Sequence, residues 1–308
     1  MNANPLVSVI IPNFNHAPYL DRRIRSVLAQ TYDNYEVIIL DDNSCDNSLE
    51  VISRYRHDRH VSRIDVNKEN SGCVFRQWSR GMELAKGELV WIAESDDYCE
   101  DNLLEELVRA FLARKNTVLA YSTLKVVNDE GVILEELPVG RNRYLSGKQF
   151  VRRYLALANF VRNASCALFL RDAALSIPKD YQKFKGAGDY LFWTYIALKG
   201  NVAIVNKCLS YFRRHGGVVT DLCDANGANY LAEKEILDYI CSQVRMSGIR
   251  LQVTNCYHWN RIRSQQFLDE SVKRRVYDVW GVPDRFPFWG NFILRKAVRL
   301  RLKYNYYI

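Results

Sequence analysis

Short, nearly continuous apolar runs set the pattern of the first half of the chain: "LVSVII", "YEVIIL", "VSRIDV" and "ELVWIA", with helical periodicity between them. Runs of this length, rich in Val and Ile and bounded by turn residues, predict strands. Strands that alternate with helices pair in parallel through right-handed crossovers. "VSVII" and "EVIIL" lack a clean polar alternation, as expected of strands covered on both faces. The expected fold class is therefore α/β, a mainly parallel sheet flanked by helices. In such a sheet ligands gather outside the carboxyl ends of the strands. The polar clusters fall there: "PNFN" after the first strand, "DDNSCDNS" after the second and "ESDD" after the fourth.

Residues 117–222 are less regular. They predict a hairpin turning at Asn128 to Gly131, a helix near 146–158, the strand "SCALFL", the helical run "GDYLFWTYIALKG" and the strands "NVAIVN" and "LSYFRR". From about residue 225 the pattern is mainly helical. With no internal repeat or low-complexity linker, the expectation is one compact unit over 1–222, in halves 1–116 and 117–222, followed by a helical extension over 223–308.

A chain of 308 residues with 48% hydrophobic content fills a full-sized core. No apolar run reaches the ~18 residues of a bilayer span, and "MNANPLVSVIIPN" has neither the basic start nor the apolar length of a secretory signal, so a cytoplasmic place is expected. The eight cysteines show no C-x-x-C pair and no zinc spacing, and read as buried or incidental thiols. Charge is informative once located. Residues 245–308 hold 13 Lys and Arg against 4 Asp and Glu, a local +9 within a chain of net +8, which leaves −1 for the rest. That argues against a nucleic-acid groove in the main unit and for a basic tail with its own role. In that tail "NFILRKAVRLRLKY" sets Arg295, Lys296, Arg299 and Lys303 on one side and Ile293, Leu294, Ala297, Val298 and Leu300 across from them, with Phe288 and Trp289 just ahead. Two readings stand: segment 288–303 rests on an anionic membrane surface, or it packs on the main unit with its basic face in solvent.

Four clusters carry candidate chemistry. Asp41 and Asp42 in "VIILDDNSCDNS" can offer a carboxylate to a ligand N–H, although the plainer reading is a turn that caps a helix through Ser44 or Asp46. In "WIAESDDYCE", Glu94, Asp96 and Asp97 repel one another and call for a cation, donors or solvent. Strand-end carboxylates hold Mg²⁺ or Mn²⁺ together with substrate phosphates, whereas an acidic first turn of a helix starting near Glu100 accounts for Glu100 and Asp101 but not for Asp96 and Asp97. Asp189, ahead of the apolar helix face Leu191, Phe192, Tyr195 and Ile196, reads as an N-cap, a fixed general base, or both. Arg213, Arg214 and His215 precede Gly216 and Gly217, a pattern suited to a diphosphate under a closing loop, with one of the two arginines left to solvent.

Together and in this order, "VSVIIPNFNHAPYLDRRIRSVLAQTY", "EVIILDDNSCDNS", "NSGCVFRQWSRGMELAKGELVWIAESDD", "GDYLFW" and "YFRRH" resemble the family 2 glycosyltransferases over roughly residues 6–222. The resemblance implies a GT-A, Rossmann-like fold and an inverting transfer from a nucleoside-diphosphate sugar to a glycan or lipid-linked acceptor, with a nucleotide-binding first half and an acceptor-side second half. It assigns Pro12, Phe14, Asn15 and Asp42 to the base, usually uracil or thymine, Asp96 to the ribose and Asp97 to Mn²⁺ or Mg²⁺. Arg80, with Arg76 beside it, matches the basic residue ahead of the fourth strand, although the "FRQW" spacing departs from the common pattern. Asp189 matches the catalytic base, and Arg213 with His215 the diphosphate element. Glu94 stands where many relatives have Asp, which places it behind the ligands. A second reading is a non-catalytic scaffold of the same fold, which the joint presence of Asp42, Asp96, Asp97, Asp189 and His215 opposes. A nucleotidyltransferase needs a basic Gly-rich loop after the first strand, and "PNFNHAPYL" has none.

Overall fold

Every residue of β1 (Val7–Asn13) and β2 (Tyr35–Asp41) is buried, as their apolar runs require. The two strands pair in parallel from Val7 opposite Tyr35 to Asn13 opposite Asp41, so they end side by side and bring "PNFN" against "DDNS". The structure, a computed structural model, describes residues 2–137, 139–214 and 219–283.

Between these strands α1 (Ala17–Leu28) buries Leu20, Arg23, Ile24 and Val27, one stripe of the helix with a cation in it. After β2 come α2 (Ser48–Ser53), β3 (Val61–Val66), α3 (Val74–Leu84) and β4 (Leu89–Ile92), and the strands lie parallel in the order β3-β2-β1-β4. The short β5 (Tyr98–Cys99) leads to α4 (Leu103–Leu112), whose N-cap is Asn102. The helix therefore starts later than Glu100, and Glu100 instead accepts a hydrogen bond from the Tyr211 hydroxyl.

In the second half β6 (Thr117–Val127) and β7 (Ile133–Glu136) form the expected hairpin, with Gly131 in the left-handed region at φ 84°. Then come β8 (Arg143–Ser146) and α5 (Gly147–Phe150), which runs into a π-helical turn over Val151–Leu155, so the helix expected over 146–158 is two short pieces. β9 (Ala167–Leu170) enters antiparallel between β4 and β6 and joins the two halves into one mixed sheet. After α6 (Arg171–Leu175) and α7 (Gly188–Leu198), the two strands expected around residue 207 are one bulged strand, β10 (Asn201–Arg213), parallel to β6.

Side chains of the sheet fill a core on each face. Val9, Ile11, Ile24, Trp91 and Phe111 belong to one core, and Ile10, Ile38, Trp78, Phe192 and Trp193 to the other. The extension is helical as expected: α8 (Val219–Ala225), α9 (Ala228–Gln243), α10 (Gly248–Ser264) and α11 (Glu270–Trp280). Its Tyr230, Ile236, Ile240, Ile262 and Trp280 share the second core with α7, so the described part of the extension is packed on the main unit. Among the described residues no helix is long and apolar enough to cross a membrane. Segment 288–303 lies outside them.

Candidate active site

The first cluster forms where β1 and β2 end. Asp41 is fully buried and accepts from Asn13 Nδ2 at 2.8 Å and from Ser44 N at 2.9 Å, which makes it a fastening of the turn. The Ser44 hydroxyl is spent on Asp41, and Asp46 receives Ala17 N and Ser48 N, so neither side chain caps α2 from the N-cap position, which Asn47 holds. Asp42 faces the other way. Its carboxylate accepts from Asn67 Nδ2 at 2.6 Å, Ser71 N at 2.9 Å, Ser71 Oγ at 2.7 Å and Gln77 Nε2 at 2.7 Å. Asn15, at φ 55°, ties the two loops together by accepting from Cys45 N at 2.8 Å and donating its own N–H to Ser44 Oγ at 2.9 Å. Pro12 is buried, while the Phe14 ring is 44% exposed, a flat apolar surface at the mouth of this turn. Arg80 projects from α3 to an ion pair with Asp65 at 3.1 Å, and Arg76 donates to the Ser71 carbonyl. The basic residue expected at the nucleotide is thus engaged elsewhere, and it is Gln77, one turn before it, that reaches Asp42.

The acid cluster after β4 has a cation beneath it that sequence reading missed. Arg23 is fully buried, donates Nε to the Glu94 carbonyl at 2.8 Å and Nη2 to Ser165 Oγ at 3.0 Å, and lies 3.9 Å from Asp97 Oδ2. The Ser165 hydroxyl in turn donates to Asp97 Oδ2 at 2.7 Å and accepts the Glu94 N–H at 3.1 Å. Asp97 is 1% exposed, and its other oxygen accepts Arg213 N at 2.9 Å. Burial, then the Asp96 charge, pushes the Asp97 carboxyl up, with Arg23 opposing. Glu94 accepts Trp78 Nε1 at 2.9 Å, and burial with the charges of Asp96 and Asp97 raises its carboxyl to about 8. Burial and like charge thus favour its protonated form, which lessens the three-carboxylate repulsion. The signal for Arg23 was available, because it lies on the same helical stripe as Leu20, Ile24 and Val27.

Arg213 differs from its expected role. Its guanidinium donates to the carbonyls of Asp96 at 2.9 Å, Asn128 at 2.9 Å and Asp129 at 2.6 Å, and sits 4.8 Å over the Tyr19 ring. Buried to 3% exposure, it fixes the main chain of the acid turn in place of reaching toward a ligand. Arg214 is the exposed one and pairs with Asp221 at 3.2 Å. His215 lies outside the described residues.

Among the described residues no three His, Cys, Asp or Glu side chains converge on a metal position. Asp97 is buried with one oxygen taken by Ser165 Oγ and the other by Arg213 N, so an ion here would take at most one or two protein oxygens from Asp96 and Asp97 and complete its shell with phosphates and water.

Asp189 is the second residue of α7, after the N-cap Ala187, so it is not the cap. Its Oδ1 accepts Tyr190 N at 2.8 Å and its Oδ2 accepts Asn159 Nδ2 at 2.7 Å. Burial raises its carboxyl to about 7, in the range of a base working at neutral pH. It opens on a cavity of about 330 Å³ that Arg214 also lines and that Asp224, Glu233 and Arg261 of the extension wall off. Sequence reading assigned those three no chemistry. A larger cavity of about 880 Å³ opens at the opposite end of the sheet, beside Thr117 and Asn201, and holds none of the acidic residues above.

The parallel strands β2, β1, β4 and β10 end on one edge of the sheet and bring these parts there: Asn13 bonds to Asp41 across β1 and β2, Asp97 joins the end of β4 to Arg213 of β10, and Arg214 lines the Asp189 cavity. Known proteins resemble the chain in sequence and in fold. The model for "Glycosyl transferase family 2" matches residues 8–177. Glycosyltransferase GlyG of Streptococcus pneumoniae is 24% identical over 271 residues, covering 81% of this chain and 86% of its own. Hyaluronan synthase of Pasteurella multocida is 36% identical over 134 residues, 44% of this chain and 14% of its own. Residues 1–349 of S. aureus TarS in complex with UDP-GlcNAc match with a TM-score of 0.69 at 16% identity, over 97% of this chain and 86% of that one, a likeness of fold.

Proposed function

Because the chain belongs to glycosyltransferase family 2, we propose that it moves a sugar from a UDP- or dTDP-linked donor to a hydroxyl of a glycan or lipid-linked acceptor, with inversion, in cell-surface polysaccharide synthesis. The observation that carries this reading is the single edge on which the Asp42 turn, the Asp96–Asp97 pair and Asp189 follow one another. The UDP-GlcNAc held by TarS and the polymer named for hyaluronan synthase support the donor and product classes.

On this reading Pro12, Phe14, Asn15 and Asp42 receive the base. Phe14 supplies a stacking face, and the network of Ser71, Asn67 and Gln77 holds the Asp42 carboxylate in place. Asp96 faces the ribose. Asp97, with Asp96 beside it, would hold Mg²⁺ or Mn²⁺, which supplies positive charge to the leaving diphosphate. Arg213 acts by fixing the acid turn, and His215 is assigned to the diphosphate on the resemblance alone. Asp189 takes the acceptor proton as that oxygen attacks the anomeric carbon from the face opposite the diphosphate.

A donor panel tests the class. UDP, dTDP, GDP and CMP sugars are screened with and without Mn²⁺ for thermal stabilisation and for slow hydrolysis. Stabilisation by one nucleotide family, dependent on metal and lost in Asp42→Ala, is expected, since a ligand at 100 times its Kd adds about 2.7 kcal/mol. Silence across the panel removes the reading. We further place the protein at the inner face of the membrane through 288–303, where a lipid-linked acceptor is found. The full chain should sediment with vesicles containing anionic lipid, and a chain ending at Pro287 should not. Equal sedimentation of the two excludes that placement.

A further inference from the structure

The cavity beside Asp189 is built by two parts of the chain, and its charges follow a rule. Three guanidiniums line it, and each is held by a carboxylate of the same wall: Arg162 by Glu135 at 3.2 Å, Arg214 by Asp221 at 3.2 Å and Arg261 by Glu233 at 2.9 Å. The Arg261–Glu233 pair is bidentate, with its second bond at 3.1 Å, and Glu233 is also 3.7 Å from His258. The other two acidic residues, Asp189 and Asp224, take neutral amide donors instead, from Asn159 at 2.7 Å and Asn229 at 2.8 Å.

The consequence is asymmetric. Among the described lining residues every cation is matched, and two acidic groups have no matching cation. An entering carboxylate or phosphate competes with the wall's own carboxylates for the guanidiniums and meets the like charge of the acidic groups, and both cost affinity. An entering hydroxyl or ammonium finds acceptors in the Asp189 and Asp224 carboxylates, which no guanidinium of the wall claims.

We propose that the acceptor taken into this cavity is an uncharged or amino-bearing saccharide, whose hydroxyl or ammonium groups are received by Asp189 and Asp224, and that acidic saccharides are turned away. The inference rests on Asp189 as the catalytic base. It gives α8, α9 and α10 a place in acceptor choice, since Asp224, Glu233 and Arg261 come from those helices.

Binding separates this inference from its premise. The full chain, with UDP and Mn²⁺ present, is titrated by saturation-transfer NMR with the methyl glycosides of glucose, glucosamine and glucuronic acid and with methyl glucoside 6-phosphate. The first two are expected to bind at least about tenfold more tightly than the acidic two, by a margin that shrinks as salt is raised. Asp221→Asn, which releases the exposed Arg214, is expected to narrow that margin. Acidic glycosides that bind as well as the neutral ones overturn the inference, and so does a failure of all four to bind. Full transfer activity in Asp189→Asn would remove the base assignment and leave the binding preference to stand or fall on its own data.

Discussion

Replacing Asp189 with Asn is expected to cut kcat by ~10²-fold or more while leaving nucleotide-sugar affinity unchanged, the scale of a lost general base. The change keeps size and shape. It need not break the local hydrogen bonds, because Asn159 can turn its amide and offer the oxygen that now has no partner. The Tyr190 N–H finds an oxygen in either side chain. What disappears is the basic group. With the wild-type carboxyl raised to about 7 by burial, kcat/KM should fall about tenfold per pH unit below that value, as the base takes up a proton before the acceptor can supply one. The residual activity of the Asn variant should lack this limb. The stability sign runs the other way. The folded value lies above the ordinary 3.8, so between about pH 4 and 7 the folded chain holds a proton that the unfolded chain has released, and stability falls as pH rises through that window. The Asn variant should lose that slope. Unchanged kcat in the Asn variant refutes the assignment.

The parts of this fold that were legible in sequence were those where one local rule decides. Continuous apolar runs marked β1, β2 and β4, their alternation with helices implied parallel pairing, and Asn128 to Gly131 marked the hairpin because a left-handed glycine closes it. Asp42 and Asp97 stood out as strand-end carboxylates. Whatever depended on distant partners stayed hidden. Which of Asp41 and Asp42 faces outward is set by Asn13 and Ser44 on one side and by Ser71 and Gln77 on the other. Arg213 and Arg214 are alike in sequence, yet the first is fixed to three carbonyls from two segments and the second is exposed. Ser165 is one unremarked hydroxyl between Asn163 and a strand, and it proves to bridge Arg23, Glu94 and Asp97. The far wall of the cavity beside Asp189 belongs to helices whose charged residues carried no signal in sequence, and Glu233 and Arg261 meet there only in the fold.

Arg23→Met should be the most damaging single change to the fold of the site, with a loss of about 3–5 kcal/mol, the cost of stranding a charge inside a protein. The guanidinium is fully buried, and removing it leaves the Glu94 carbonyl and Ser165 without two donors and Asp97 without its nearest cation at 3.9 Å. Methionine fills much of the volume, so a cavity does not explain a loss of this size. The pH dependence identifies the cause. Asp97 is already pushed up by burial and by Asp96, and Arg23 is the charge that opposes this, so without it the folded value climbs further. A carboxyl with a raised folded value costs more stability as pH rises through the window above its unfolded value. The deficit of Arg23→Met relative to wild type should therefore be larger at pH 8 than at pH 5, read from denaturant midpoints at the two values. Adding Asp97→Asn removes the stranded charge and should recover part of the loss, a non-additivity expected only if the two residues are coupled. If Arg23→Met shows a deficit independent of pH and strictly additive with Asp97→Asn, the arginine is packing material for α1 and the acid cluster owes its stability to Ser165 and the Arg213 backbone alone.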